Sequence, residues 1–250
     1  MAPARDPLFD FTDRVVVVTG GSRGLGREMV LAFAERGADV VVASRKLETC
    51  EAVAAEVRGL GRRALAHPVH AGKWDSIDAL IEVVYREFGR IDVLVNNAGS
   101  GPAAKSHEVS ESLFDSVIAL NFKGPFRLAS QVAKRMADGE GGVIVNVSSS
   151  GSLMAVPGVV PYASAKAALN AMGHSLAAEY GPKVRVNTLC PGPFLTDIAR
   201  AWTQAARDSM PNALGRAGRP NEIVTAALYL ASPASSYTTG TLVRVDGGIV

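Results

Sequence analysis

Short runs rich in Val and Ile alternate with longer amphipathic stretches along most of the chain, and this alternation restricts the fold more than any other feature. Candidate strands are Arg14–Thr19, Asp39–Ala43, Ala64–Val69, Ile91–Val95, Gly142–Val147, Val184–Leu189 and Thr241–Val245. Helical patterns lie between them at Gly24–Glu35, Leu47–Arg58, Trp74–Phe88, Glu111–Ala137, Pro161–Tyr180 and Asn221–Ala231. Continuous apolar strands are those buried on both faces, and β-α alternation brings such strands into parallel register. The predicted fold is therefore α/β, a Rossmann-type doubly wound parallel sheet of about seven strands in three α/β/α layers. At 250 residues and 48% hydrophobic, the chain can bury one large core, so residues 1–250 are expected to form a single domain. The one long interruption is 191–220, where no strand or helix pattern holds, and a segment of that length suits a substrate lid.

Charge and cysteine usage narrow the partners. The formal net charge is +2, with Lys and Arg scattered, which leaves no footprint for nucleic acid or an anionic membrane. No run is long and apolar enough to span a bilayer. Cys50 and Cys190 give no disulfide framework, and the N-terminus has no signal-like apolar stretch, so a cytoplasmic location is expected.

Two constellations carry chemistry. If the Ala-rich run after Pro161 is helical, Tyr162 and Lys166 lie one turn apart on one face and can share a site. A phenol with a reference pKa near 10 shuttles protons poorly at neutral pH unless a nearby cation favours its phenolate. By itself Tyr-x-x-x-Lys is far more often an accident of helix composition. The first strand runs into Thr19-Gly20-Gly21-Ser22-Arg23-Gly24-Leu25-Gly26 and then a helix, a turn able to bring backbone against a pyrophosphate at a helix N-terminus. Alone it could equally be a tight connection.

Their order along the chain is informative. Thr19-Gly-x-x-x-Gly-x-Gly26, Asn96-Asn97-Ala98-Gly99, Asn121, Ser149, Tyr162-x-x-x-Lys166 and Pro191-Gly192-x-x-x-Thr196 follow one another. In this the chain resembles the short-chain dehydrogenase/reductase family over roughly Phe11 to Gly248. The resemblance implies an NAD(P)-dependent enzyme acting on CH–OH groups. Tyr162 would be the proton donor and acceptor, and Ser149 would hydrogen-bond the carbonyl oxygen. Lys166 would lower the tyrosine pKa and bind the nicotinamide ribose, and Asn121 would hold a water linking Lys166 to solvent. Cofactor contacts would come from Gly20, Ser22, Arg23, Gly24, Leu25, Gly26, Ser44, Arg45, Lys46, Asn97, Ala98, Gly99, Tyr162, Lys166, Pro191, Gly192, Phe194 and Thr196, while Asn96 would brace the sheet. No metal is expected.

The second strand ends in Ser44-Arg45-Lys46 with no carboxylate. An acidic residue there suits NAD, whereas an arginine accommodates a 2′-phosphate, so NADP(H) is the expected cofactor, with NAD(H) possible. His70 stands where the family usually has an acid facing adenine, and an ordinary loop histidine explains it at least as well. Trp202 and Met210 fit a pocket wall or plain lid packing, and Cys190 reads as a small buried strand residue. Lys123, Arg127, Lys134 and Arg135 read as a solvated helix face.

Three functions are open: a reductase or dehydrogenase of a small or medium carbonyl or alcohol, a 3-oxoacyl-carrier-protein reductase, and a non-catalytic dinucleotide sensor. Asp138-Gly139-Glu140 disfavours the second by repelling an acidic carrier. The four catalytic-type residues disfavour the third. Small residues on several faces of Pro161–Tyr180 (Ala163, Ala167, Ala168, Ala171, Ala177) suggest close packing in a homotetramer or homodimer.

Overall fold

Residues 6–197, 199, 203 and 209–249 are described by a computed structural model of the chain. Seven strands form one parallel sheet: β1 (Val15–Thr19), β2 (Asp39–Ser44), β3 (Ala64–Pro68), β4 (Val93–Asn96), β5 (Gly142–Val147), β6 (Val184–Pro191) and β7 (Leu242–Val245). Their spatial order is β3-β2-β1-β4-β5-β6-β7. After β3 the chain crosses back to place β4 beside β1, with Val17 opposite both Val41 and Leu94. The winding direction reverses there, which opens a crevice beyond the carboxyl ends of β1 and β4.

Helices α1 (Gly24–Glu35), α2 (Leu47–Gly59) and α7 (Val224–Ala231) cover one face of the sheet, around Val16, Val18, Val40 and Val145. On the other face α3 (Trp74–Phe88), α5 (Gly124–Asp138) and α6 (Val160–Tyr180) close over Val17, Val41, Leu94 and Ile144. Alternate residues of each strand face opposite layers, so the Val/Ile runs read as continuous in sequence because both faces are buried.

The expected single helix over Glu111–Ala137 is interrupted. It comprises α4 (Glu111–Ile118), a π-helical turn at Ala119–Lys123, and α5. Pro125 is the reason: it has no N–H for the carbonyl of Asn121, and its ring would strike that carbonyl in α-helical register. Gly124 lies so close to the Ala71 carbonyl that any Cβ would collide with it. The widened turn carries Asn121, fully buried, towards the carboxyl ends of the strands.

The basic stripe also differs from expectation. Arg127 bonds Asp78 of α3 at 2.9 and 2.8 Å and lies over the Trp74 ring, while Arg135 pairs with Glu82 and lies over Tyr85. These cations dock α5 onto α3 and do not form a solvated face. Lys134, paired with Asp138 one turn on, does face solvent.

Candidate active site

Each strand end contributes one piece. β1 delivers Thr19, whose hydroxyl accepts from the backbone N–H groups of Asn97 and Ala98 at 3.0 and 3.1 Å. The Asn97 side chain returns a bond to the Thr19 carbonyl at 2.9 Å, which fastens the loop after β4 to the glycine-rich turn after β1. Gly20 has φ of 67°, and a Cβ there would sit 2.9 Å from the Asn97 amide nitrogen. A Cβ on Gly26 would collide with the Gly20 carbonyl. These glycines draw backbone into a tight cradle at the start of α1, the geometry that admits a pyrophosphate at a helix N-terminus.

β5 delivers three serines with different fates. Ser148 hydroxyl bonds the Lys166 carbonyl at 3.2 Å, and Ser150 is buried. Ser149 accepts from the Gly151 N–H at 3.2 Å and lies beside the Tyr162 side chain, whose pKa it lowers. Of the three serines, Ser149 is the one whose side chain acts on Tyr162. Lys166, 3% exposed, donates to the Val147 carbonyl at 2.8 Å, and its ammonium lies 5.8 Å from the Tyr162 ring centre.

Burial sets the proton affinities. It raises the Tyr162 pKa, with Ser149 acting in the opposite direction. The expected lowering by Lys166 is therefore not what the chain's own groups produce. Burial pushes Lys166 down from 10.5 to about 8, because a desolvated ammonium is costly. Cys190 is pushed up to about 11, mainly by burial, so its thiol stays neutral as befits a strand residue.

Asn121 braces the loop after β4. Its amide donates to the Ser100 carbonyl at 2.9 Å and accepts from the Ser100 N–H at 3.3 Å. Ala104 N–H donates to the Gly158 carbonyl at 2.8 Å, so Gly101 is held between two anchors. A Cβ on Gly101 would lie 2.9 Å from Cγ of Tyr162. Gly101 was not singled out from sequence, although a second glycine two residues after Gly99 is a visible signal for close approach. Gly99 approaches too: a Cβ there would lie 2.8 Å from Asn121 Oδ1 and 3.3 Å from Lys166 Nζ.

Other expected cofactor residues divide into those near the cradle and those turned away. Asn96 bonds Asn146 of β5 at 3.0 Å and does brace the sheet. Ser44 ends β2 half-buried, with Arg45 and Lys46 exposed at the start of α2, whose first turn has no side-chain cap. Arg23 pairs with Asp197 at 3.2 Å, a contact the sequence did not disclose. Thr196 packs against Gly24, and Gly192 against Asp246. The Phe194 side chain turns into the core over Gly218, leaving only its backbone for a ligand. His70 uses Nδ1 to accept from the Gly72 N–H at 3.3 Å, as a loop histidine does. Trp202 and most of 198–208 lie outside the described residues. No group of His, Cys, Asp and Glu able to hold a metal occurs among the described residues, and no described helix is long and apolar enough to cross a membrane.

A cavity of about 360 Å³ lies at the opposite end of the sheet among Arg14, Asp92, Glu140, Lys183 and Arg185. Asp92 is paired with Arg14 and Arg90, and Arg185 donates to the carbonyls of Leu230, Ser232 and Thr238. These groups hold one another and leave little capacity for a ligand.

The fold is a Rossmann-type doubly wound sheet, and Ser149, Tyr162 and Lys166 lie together at its carboxyl end. Residues 14–207 match the short chain dehydrogenase family, and the chain belongs to it. It is 35% identical to 3-oxoacyl-(acyl-carrier-protein) reductase FabG of Thermotoga maritima, over 95% of this chain and 98% of that protein. It is also 35% identical to D-threitol dehydrogenase of Mycolicibacterium smegmatis, over 96% and 95%. Among solved structures it resembles a 7α-hydroxysteroid dehydrogenase complexed with NADH and 7-oxo glycochenodeoxycholic acid, with TM-score 0.93, 30% identity, and coverage of 99% and 98%.

Proposed function

We propose that the protein transfers hydride between NADP(H) and the carbonyl or secondary alcohol of a small or medium organic substrate, with Tyr162 as acid and base. The observation that carries this is the meeting of Tyr162 with Ser149 and a buried Lys166, whose ammonium lies 5.8 Å from the tyrosine ring centre. The cradle of Gly20, Gly24 and Gly26 fits a pyrophosphate, with Ser22, Leu25, Asn97, Ala98, Gly99, Pro191, Gly192 and Thr196 around it. When bound, the nicotinamide supplies hydride in reduction and takes it up in oxidation.

The chain's residues handle the proton. Tyr162, kept protonated by its raised pKa, gives its proton to the carbonyl oxygen while Ser149 donates to the same atom and steadies the growing charge. Lys166, near 8, exchanges protons at neutral pH far more readily than an ordinary lysine. The Asn121 carbonyl, which Pro125 cannot satisfy in α-helical register, suits a water leading from Lys166 to solvent. Tyr162→Phe should lower kcat by about 10²–10⁴ with unchanged cofactor affinity, since one proton donor is lost. Wild-type turnover by this variant would overturn the assignment.

Preference for NADP(H) rests on Arg45 and Ser44 at an uncapped, carboxylate-free strand end. Two cations beside a helix N-terminus are unfavourable unless an anion offsets them. One charge-assisted contact is worth about 1.5–3 kcal/mol, so Arg45→Ala should weaken NADP binding roughly tenfold or more and leave NAD untouched. Equal losses for both cofactors, or a wild type preferring NAD, would reject the preference.

The relatives named 3-oxoacyl-carrier-protein reductases favour a second reading within the same chemistry. Asp138 pairs with Lys134 and Glu140 with Arg90, so the acidic stretch repels a carrier less than its sequence suggests. Comparing a 3-oxoacyl thioester on carrier protein with the same acyl group on a short thiol separates the readings. A homotetramer or homodimer is proposed from exposed Phe114 and Phe126 and the small residues of α6, and light scattering at micromolar concentration checks it. The two buried free cysteines suit a reducing cytoplasm.

A further inference from the structure

The segment joining Ser149 to Tyr162 has both reacting hydroxyls at its ends, so it must border the substrate atom they share. It reads Ser150-Gly-Ser-Leu-Met-Ala-Val-Pro-Gly-Val-Val-Pro161 and contains no charged side chain. Its turn is close-set: a Cβ on Gly151 would lie 3.3 Å from Val156 Cγ2 and 3.5 Å from Ser149 Oγ, so an apolar methyl flanks the serine hydroxyl. The second border, Gly99 to Ala104, is anchored to the first by the Ala104–Gly158 hydrogen bond and is also free of charge. The third, Cys190 to Thr196, contributes no Asp, Glu, Lys, Arg or His.

Apart from Ser100, the side chains these segments leave most uncovered are apolar. Leu153 is 50% exposed, Met154 41%, Val160 46% and Leu195 42%. Their few hydroxyls are partly engaged, since Ser152 donates to the Ser149 carbonyl at 2.6 Å and accepts from Asn170 at 2.9 Å. Nearby charges are neutralised elsewhere: Lys105 and His107 both face Glu108, and Asp246 is held by Arg244. The 198–208 stretch, most of which lies outside the described residues, is not counted in this wall.

We infer that the substrate is an uncharged, largely hydrocarbon ketone or secondary alcohol, of alicyclic or long-alkyl type, and neither a polyol nor a carboxylate-bearing sugar acid. This rests on the hydride-transfer reading above. A polyhydroxylated substrate would bury hydroxyls against Leu, Met and Val with nothing to bond them, and a carboxylate would find no counter-charge. An apolar ring system gains by covering the same side chains.

The test compares three carbonyl compounds of similar size with the full-length protein and NADPH: the bicyclic ketone 1-decalone, a ketose sugar, and an aliphatic 2-oxo acid. The expected result is a kcat/KM for decalone at least a hundredfold above the other two. Val156→Arg should lower the decalone value by at least tenfold and raise that of the oxo acid. Equal or better turnover of the sugar or oxo acid by wild type would overturn the hydrocarbon assignment while leaving hydride transfer intact. Binding to the Tyr162→Phe variant, measured calorimetrically in the presence of NADPH, separates the wall from the chemistry. Decalone bound there, with none of the three compounds reduced by wild type, would sustain the wall and reject the hydride-transfer reading. Failure of decalone to bind would overturn the inference whatever else is reduced.

Discussion

The two ends of the sheet use the same chemical groups for opposite purposes. At the amino end Asp92, whose side chain is 6% exposed, takes Arg14, Arg90 and the Val15 N–H, and each charge has a lasting partner. At the carboxyl end Lys166 is as deeply buried, yet among the described residues its ammonium has one acceptor, the Val147 carbonyl. An ammonium carries three donors. A cavity of about 360 Å³ lies at the satisfied end, so open space by itself does not mark a site. What marks a site here is hydrogen-bonding capacity that the fold has desolvated and not fully used.

Lys166→Met exposes that difference most strongly. Turnover should fall by about three orders of magnitude, since the relay and the neighbouring cation are both lost. Stability should move the other way. The folded pKa is depressed from 10.5 to about 8, so the unfolded chain binds more protons between those values and the penalty is complete below pH 8. That shift corresponds to roughly 3 kcal/mol, from which the lost bond to Val147 subtracts about 1. Melting curves should show the variant more stable than wild type at pH 7, with the gap closing towards pH 10.5. A destabilised variant at pH 7 would show that Lys166 is chiefly structural.

Asp92→Asn is the mirror experiment. Arg14 and Arg90 lose the carboxylate they share, Arg90 keeping only Glu140, and removing the buried member of such a group should cost about 2–4 kcal/mol. Denaturant midpoints should drop accordingly, while kcat per folded molecule stays within twofold. A marked fall in kcat would mean that the two ends communicate through β4.

How much of this was legible beforehand depends on whether the signal was local. The strands, the β1–α1 glycine turn and the Tyr162/Lys166 pair each announce themselves within a few residues, because periodicity and spacing are properties of contiguous chain. Gly124 and Pro125 likewise advertised a disturbance inside the long helix, though the sequence reading ran straight through it. Contacts between distant segments had no such signal: Arg23 with Asp197, Arg127 with Asp78, Phe194 over Gly218 and Gly101 on the Tyr162 ring each require both partners' positions. The upward pull of burial on the Tyr162 pKa had no local signal either, since burial is a property of the packed molecule.

Gly101→Ala probes one of those invisible contacts. The flanking anchors at Ser100 and Ala104 keep the loop from retreating, so the new methyl must displace the Tyr162 ring. A displacement of about 1 Å can cost up to a hundredfold, and kcat should fall at least about tenfold with NADPH affinity within twofold. Separation of Tyr162 from Ser149 should also move the kinetic pKa of the tyrosine upward, because Ser149 lowers it. A fall in kcat without any change in the pH profile would assign the loss to the loop and not to the ring.

The smallest effect belongs to the Arg23–Asp197 pair at the carboxyl end. Arg23 is 67% exposed and Asp197 38%, against 39% and 6% for Arg90 and Asp92. Exposed pairs contribute about 0–1 kcal/mol, so this one can open at little cost, and it joins the glycine-rich turn to the segment after β6. If Arg23 is to face a 2′-phosphate, Asp197 competes with that phosphate for the same guanidinium. Asp197→Asn should therefore tighten NADP binding by about two- to threefold and leave NAD unchanged, with stability hardly altered. The gain should shrink with added salt, as expected for partly solvated charges. Weaker binding of both cofactors would instead make the pair a structural tie of the kind found at the amino end.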